Sequence, residues 1–371
     1  MKTTHELLAD LVALPGPVGQ EDAVRHYLAA WLDARGLAWR VDAKGNLLCG
    51  SETPRVIITA HLDEIALMVA GMRHDGSLGV LPLGGTHPWK WGEGPVEVLP
   101  LEGGEPIPAV LSFGSIHTGH PATAIERSRA GQALTWADAR VILGRVQDIP
   151  VGSRVVMARH KRTLWPMGDK IGSYFLDDRA DLVAWLRVIE AILVPLSPPG
   201  PLSPNNAPFG WEKGGETEGQ GAVSPPNPLP LSASRGYPGG EGRARGGPRA
   251  DGILFAATAS EELGGHGALW LLGNTRPEVC VALEIGPIAP DNAIQLSATP
   301  TCWVTDGYAP TDPKDIALVQ RAAQSAKTGV QLQALTRGGS DASCAAAQGL
   351  CARPITLAFP CENTHGFEIM H

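Results

Sequence analysis

The sequence predicts an α/β fold carrying a small β-rich insertion, and three features point there. Short β-branched runs such as 55–60 (RVIITA) and 253–258 (ILFAAT) alternate with stretches of helical apolar spacing, as in a buried sheet flanked by helices. From about residue 66 to about residue 164 the texture changes to short alternating strands broken by glycine and proline. After 165 the α/β texture resumes, so the middle segment reads as a domain inserted into an α/β body.

Composition sets the bounds. With 371 residues, 43% of them hydrophobic and 18% charged, the chain can bury a sizeable core as one large or two ordinary domains. A formal net charge of -8 argues against a dedicated nucleic-acid or anionic-membrane partner. No leader pattern opens the chain and no apolar run approaches bilayer length, so the expected location is cytoplasmic. Cys49, Cys280, Cys302, Cys344, Cys351 and Cys361 form no CxxC pair and read as buried thiols.

Residues 5–14 have helical spacing and stop at Pro15-Gly16-Pro17, and 21–35 follow as a second amphipathic helix with Gly36 as its cap. Two strands, 37–41 and 46–49, surround the turn at 42–45. The interior strand 55–60 then delivers His61-Leu62-Asp63-Glu64 at its carboxyl end. Within the insertion, strands are expected at 79–83, 96–101, 109–113 and 153–157. Beyond it, 170–175 leads into Leu176-Asp177-Asp178-Arg179 and a helix over 180–193.

In 197–250, 23 of 54 residues are proline or glycine, a composition that predicts a disordered excursion without chemistry of its own. The strand at 253–258 ends on the adjacent acids Glu261 and Glu262 before a glycine-rich turn. A further interior strand, 278–285, carries Glu284 near its end. Helix 313–328, strand 331–335, the turn 337–341 with helix 342–348, and strand 355–359 complete the pattern, and the last strand runs into Thr364-His365.

Familiar single motifs are missing. His5-Glu6 opens like HExxH, but Ala9 stands where the second histidine belongs, and Gly338-Gly339-Ser340-Asp341-Ala342 lacks the last glycine of a nucleophile elbow. Neither a phosphate-binding GxxxxGK[ST] nor a GxGxxG after a strand occurs. What the chain offers is a series of apolar strands or turns that each release metal-competent groups: His61 with Asp63, Asp177 with Asp178, Glu261 with Glu262, Glu284, and His365. Two imidazoles with several carboxylates and no thiolate suit a paired-metal hydrolytic site better than a structural zinc knot. Two cations about 3.5–4 Å apart need a bridging carboxylate, and a further free carboxylate must take the proton of their shared water.

Each residue has a plainer reading. His61 can be a core histidine bonded to a carbonyl, Asp177 can cap the following helix, and His365 can be an ordinary loop residue. Glu284 is harder to explain so, because an unpaired buried carboxylate is costly. His117, His120, His266 and His371 read as surface or loop residues.

Taken in order, these stretches resemble the M42 metallo-aminopeptidases of the zinc-peptidase clan. The matching residues are 16–21 (GPVGQE), 42–47 (DAKGNL), 60–65 (AHLDEI), 83–85 (LGG), 176–179 (LDDR), 261–264 (EELG), 338–342 (GGSDA) and Thr364-His365. The resemblance implies a mixed-sheet catalytic domain over 1–65 and 165–371, with 66–164 as an inserted β-rich domain used in dimerisation. It implies two divalent metal ions, zinc first and cobalt or manganese as alternatives. His61 and Glu284 would then be terminal ligands of one ion, Glu262 and His365 of the other, with Asp177 bridging. Glu261 resembles the general base of a metal-bridging hydroxide mechanism, and Asp63 the carboxylate that fixes the His61 ring. Asp178 can instead anchor its loop through Arg179. Peptide substrates and a dimer-based homo-oligomer, up to a dodecamer, follow from the same resemblance.

There are three departures. Glu284 stands where many members carry aspartate, 197–250 has no counterpart in the family pattern, and the chain ends six residues after His365 where the family continues with a helix. Two other readings use the same residues: a deacylase or carboxypeptidase of the same clan acting on N-blocked substrates, and a scaffold that has lost catalysis. Glycosidase work finds no support, since only 5% of residues are aromatic and no paired acids lie in an aromatic stretch.

Overall fold

The computed structural model describes residues 2–120, 123–194 and 251–371. The proline- and glycine-rich stretch, 197–250, lies outside the described residues. An eight-stranded sheet forms the body, in the order Trp39–Val41, Leu47–Gly50, Ile253–Thr258, Val56–His61, Val279–Pro287, Arg353–Cys361, Thr301–Thr305 and Gln331–Ala334. Its middle four strands run parallel, while Leu47–Gly50 and Thr301–Thr305 pair antiparallel with their inner neighbours, so the sheet is mixed. Because the middle strands are parallel, their carboxyl ends share one edge. Thr258 lies in register with His61, and Glu284 with Ala358.

Alternation along the strands builds two cores. Phe255 and Ala257 face a layer made by Leu7, Leu11, Leu28, Leu32, Trp185 and Ile189 from the helices Thr4–Ala13, Asp22–Asp33 and Leu176–Leu193. Leu254 and Ala256 face the other side, against Ala268, Leu271 and Leu272 of His266–Thr275 and Ala342 and Ala345 of Asp341–Ala347. All six cysteines are buried and unpaired. No helix among the described residues is long and apolar enough to cross a membrane.

The insertion is a closed six-stranded barrel, from Ala66–Met72 to Arg154–Met157, with strands Leu78–Leu83, Arg140–Leu143, Ile107–Ser112 and Gly94–Leu99 between them around the ring. Leu67, Val69, Leu78, Val96, Val98, Leu111, Val141 and Val155 fill it. Such a barrel has no free sheet edge. Its two attachments to the body meet at a buried triad. Glu64, just before the first barrel strand, accepts from Arg179 Nη2 at 2.7 Å and Arg162 Nη1 at 3.1 Å, and also pairs with Arg162 Nη2. Arg162 further donates to the Leu14 carbonyl at 3.1 Å, and Arg179 to the Leu62 carbonyl at 2.7 Å.

One carboxylate thus neutralises two guanidinium groups where water does not reach, so removing its charge leaves both uncompensated. Glu64→Gln should lower unfolding stability by roughly 3–5 kcal/mol. A urea titration checks this, and an unchanged midpoint would show that the triad does not fasten barrel to body.

Candidate metal centre

His61 is the last residue of its strand and is almost wholly buried. Its backbone N–H donates to Asp178 Oδ2 at 2.6 Å, its Nδ1 lies 3.0 Å from the Asp63 carbonyl oxygen, and its Nε2 lies 3.0 Å from Asp177 Oδ1. With Nδ1 occupied by the carbonyl, Nε2 is the nitrogen turned toward the acids. The carboxylate of Asp63 does something else. Its Oδ1 accepts the Glu261 N–H at 2.9 Å and its Oδ2 the Glu262 N–H at 3.0 Å, so it holds the main chain that carries both glutamates, with Oδ1 3.6 Å from His61 Nδ1.

That turn is pinned from behind as well. Asn46 accepts the Ala259 N–H at 2.9 Å and donates to the Gly267 carbonyl at 2.9 Å. A Cβ at Gly267 would fall 2.4 Å from the Ala259 carbonyl oxygen, so this approach admits only glycine.

Asp177 stands at the start of the helix Leu176–Leu193 but has non-helical dihedrals, and its peptide bond to Asp178 is cis. Its Oδ2 lies 3.6 Å from His365 Nε2, which in turn is 3.7 Å from Glu262 Oε2. Asp177 therefore turns one oxygen to each imidazole. His365 sits in a loop with φ 59, its Nδ1 2.9 Å from the Gly85 carbonyl oxygen, which comes from the barrel side. A Cβ on Gly85 would lie 2.6 Å from that nitrogen. Glu284, buried on its strand, accepts the Ile285 N–H at 3.0 Å.

Burial and mutual charge govern the electrostatics. Burial opposes ionisation of Asp177, but His365 and His61 outweigh it and hold the carboxyl below the usual range. Burial pushes Glu262 up to about 7, with Asp177 and Asp63 adding to the rise against His365. Glu261 and Glu284 are driven well above the carboxylate range by burial, Glu284 further by Glu261 and Asp177. On His61 burial works against the charge, and Asp178, Asp177 and Asp63 overcome it; Glu262 and Asp177 do the same at His365.

Too many acids meet here for two imidazoles to balance, a donor set that fits divalent cations. The atoms fall into two groups, His61–Asp177–Asp178–Glu284 and Asp177–Glu262–His365, each within 4.8 Å, and Asp177 belongs to both. All of these residues except Asp178 line a cleft of about 280 Å³ whose other walls include Ile285, Pro287, Trp303 and Tyr308. Glu261 faces the same cleft but joins neither group.

All seven residues expected at the site from sequence are brought together at this edge. Asp178, left open by the sequence between a metal-competent acid and a loop anchor, joins the first group while holding the His61 backbone. Two contributors went unforeseen. Gly85 offers only a carbonyl oxygen, which no side-chain pattern reveals. Glu368, buried on the short strand Glu368–Met370, accepts the Asp177 N–H at 3.0 Å and the His365 N–H at 2.8 Å. Burial and Asp177 raise its carboxyl to about 8. Its signal in the sequence is an acid flanked by Phe367 and Ile369. His117, His120 and His266 are exposed, and exposed His371 lies 3.4 Å from Asp169.

Sheet, barrel and a two-lobed carboxylate–imidazole cluster at the strand ends describe a mixed α/β protein with a candidate metal centre. The particular family follows from comparison: the family model described as M42 glutamyl aminopeptidase matches residues 45–194 and 248–371, and the chain belongs to the M42 peptidase family. It is 32% identical over 83 residues to the glutamyl aminopeptidase of Lactococcus lactis, covering 21% of this chain and 23% of that protein. It is 25% identical over 202 residues to YhfE of Bacillus subtilis, covering 52% of this chain and 57% of that protein. These matches thus span less than two thirds of either relative. The TET1 peptidase of Pyrococcus horikoshii shares the fold, with a TM-score of 0.73 at 19% identity over 100% of this chain and 94% of that one.

The Asp63 clamp generates a prediction of its own. In Asp63→Asn one acceptor becomes an NH₂ facing a backbone N–H, so a buried donor loses its partner at a cost of about 1–3 kcal/mol. The midpoint of urea unfolding should fall accordingly, and a stability equal to wild type would contradict the clamp.

Proposed function

We propose that this chain is a dinuclear-metal aminopeptidase that removes N-terminal residues from peptides. The observation that carries the reading is the position of Asp177, whose two oxygens face His61 at 3.0 Å and His365 at 3.6 Å and which alone belongs to both donor groups. His61 and Glu284 with Asp177 would hold one cation, and Glu262 and His365 with Asp177 the other. When bound, such ions polarise a carbonyl and lower the pKa of water toward about 7.

The chain's own residues do the rest. Glu261 is a carboxylate left outside both donor sets, on a backbone fixed by Asp63. It takes a proton from the attacking water and returns it to the leaving amine, a role that typically contributes about 10²–10⁴-fold. The acidic wall of the cleft favours a positively charged substrate amino terminus, and Ile285, Pro287, Trp303 and Tyr308 offer apolar surface beside it.

Zinc suits the nitrogen and oxygen donors, as do cobalt and manganese. Six buried, unpaired thiols are in keeping with a reducing, cytoplasmic compartment. Association of copies into a homo-oligomer is in keeping with TET1 of P. horikoshii, which can assemble into a tetrahedron or a large octahedral shell.

The test compares peptides with free and acetylated amino termini. Wild type should cleave only the free ones, and preference for blocked substrates would move the assignment to a deacylase or carboxypeptidase. Glu261→Gln should keep its metal while kcat falls by at least about 10²–10⁴-fold; a variant that still turns over would refute the base assignment. Chelation should abolish activity and lower Tm, since ions that bind only the folded state stabilise it, and two equivalents of zinc, cobalt or manganese should restore both. Purified protein that binds no metal would support a non-catalytic scaffold instead.

A further inference from the structure

We infer that Glu368 is a positioning residue that sets the distance between the Asp177 carboxylate and the His365 imidazole, and so builds the second of the two cation sites. The inference rests on the dinuclear reading above and adds a residue to it. Both oxygens of Glu368 are engaged, Oε2 by the Asp177 N–H at 3.0 Å and Oε1 by the His365 N–H at 2.8 Å. The side chain is 1% exposed, so no water competes for those bonds. A single rigid group therefore joins the main chains of two donors that come from distant parts of the sequence.

Glu368 is itself held firmly. Its strand pairs antiparallel with Lys170–Ser173, placing Glu368 opposite Ser173, and the next residue, Ile369, exchanges two backbone bonds with Glu362 at 2.9 and 3.0 Å. The segments it joins need such a hold. His365 has φ 59, and Phe175, two residues before Asp177, has φ 63, both in the left-handed region that side chains other than glycine and asparagine seldom adopt. The first cation site is braced differently, by Asp178 on the His61 N–H and by the Asp63 carbonyl at its ring. Loss of the Glu368 clamp should therefore fall hardest on the His365 half, where it frees both Asp177 and His365, and less on the His61–Glu284 half, which shares only Asp177 with it.

Isothermal titration of cobalt(II) into the full-length, metal-free chain separates these halves. Wild type should bind two equivalents. In Glu368→Gln the amide can accept only one of the two N–H groups, so the first equivalent should bind within about threefold of wild type. The second should weaken by about 10–100-fold, the usual effect of changing a group that orients a ligand. The visible absorption of the second cobalt should change with it, while the first keeps its spectrum. Circular dichroism of the metal-free variant establishes that it folds; should it not, Glu368→Asp, whose shorter arm reaches one amide at a time, takes its place with the same expectation. Two equivalents bound with wild-type affinities, or both weakened alike, would overturn the positioning role. Fewer than two equivalents on wild type would instead overturn the dinuclear reading.

Discussion

The structure turns on a concentration of negative charge where the ends of parallel strands meet. An ionised carboxylate removed from water is costly unless something of opposite sign or a hydrogen-bond donor replaces the water, and here several such groups crowd one edge. The sheet imposes this arrangement. Val56–His61, Ile253–Thr258, Val279–Pro287 and Arg353–Cys361 are in parallel register, so residues at or just beyond their carboxyl ends must converge. Open α/β sheets place their ligands at that edge for the same reason.

The acids divide by what they face. Asp63 and Glu368 spend both oxygens on backbone N–H groups, and Asp178 spends one on His61. Those bonds fix the main chain to within a hydrogen bond's tolerance. Asp177, Glu262 and Glu284 instead turn oxygens toward the imidazoles or into the cleft. The barrel shares in the construction, since the Gly85 carbonyl meets His365, the Trp136 Nε1 holds the neighbouring Thr86 carbonyl at 3.1 Å, and Lys90 donates to Asn363 at 2.5 Å in the His365 loop. Insertion and body form one site, fastened through Glu64, Arg162 and Arg179.

The parts legible in the sequence are those where a local pattern carries the physics. An apolar, often β-branched run with a histidine or an acid near or shortly after its end points to the sheet edge, and it picks out His61, Glu261, Glu262, Glu284 and His365 from the sequence alone. The mixed sheet and the inserted β domain were also legible, from texture and from the ordered family stretches. What was hidden depends on pairing between distant segments. The strand Thr301–Thr305 is identified by its partners Ala358 and Leu357, and closure of the barrel joins Leu67 to Val155. Asp63 was expected to orient the His61 ring through its carboxylate, yet the carbonyl makes that bond and the carboxylate binds amides, a distinction no residue pattern encodes. Glu368 was missed because a three-residue strand is too short to show alternation.

The central claim is that Asp177 is shared between two cations. An anomalous-scattering map of crystals grown with zinc, collected on both sides of the metal's absorption edge, tests it most directly. Two peaks flanking the Asp177 carboxylate, one beside His61 and Glu284 and the other beside Glu262 and His365, are the expected result. A single peak, or peaks that leave Asp177 uncoordinated, would contradict the account.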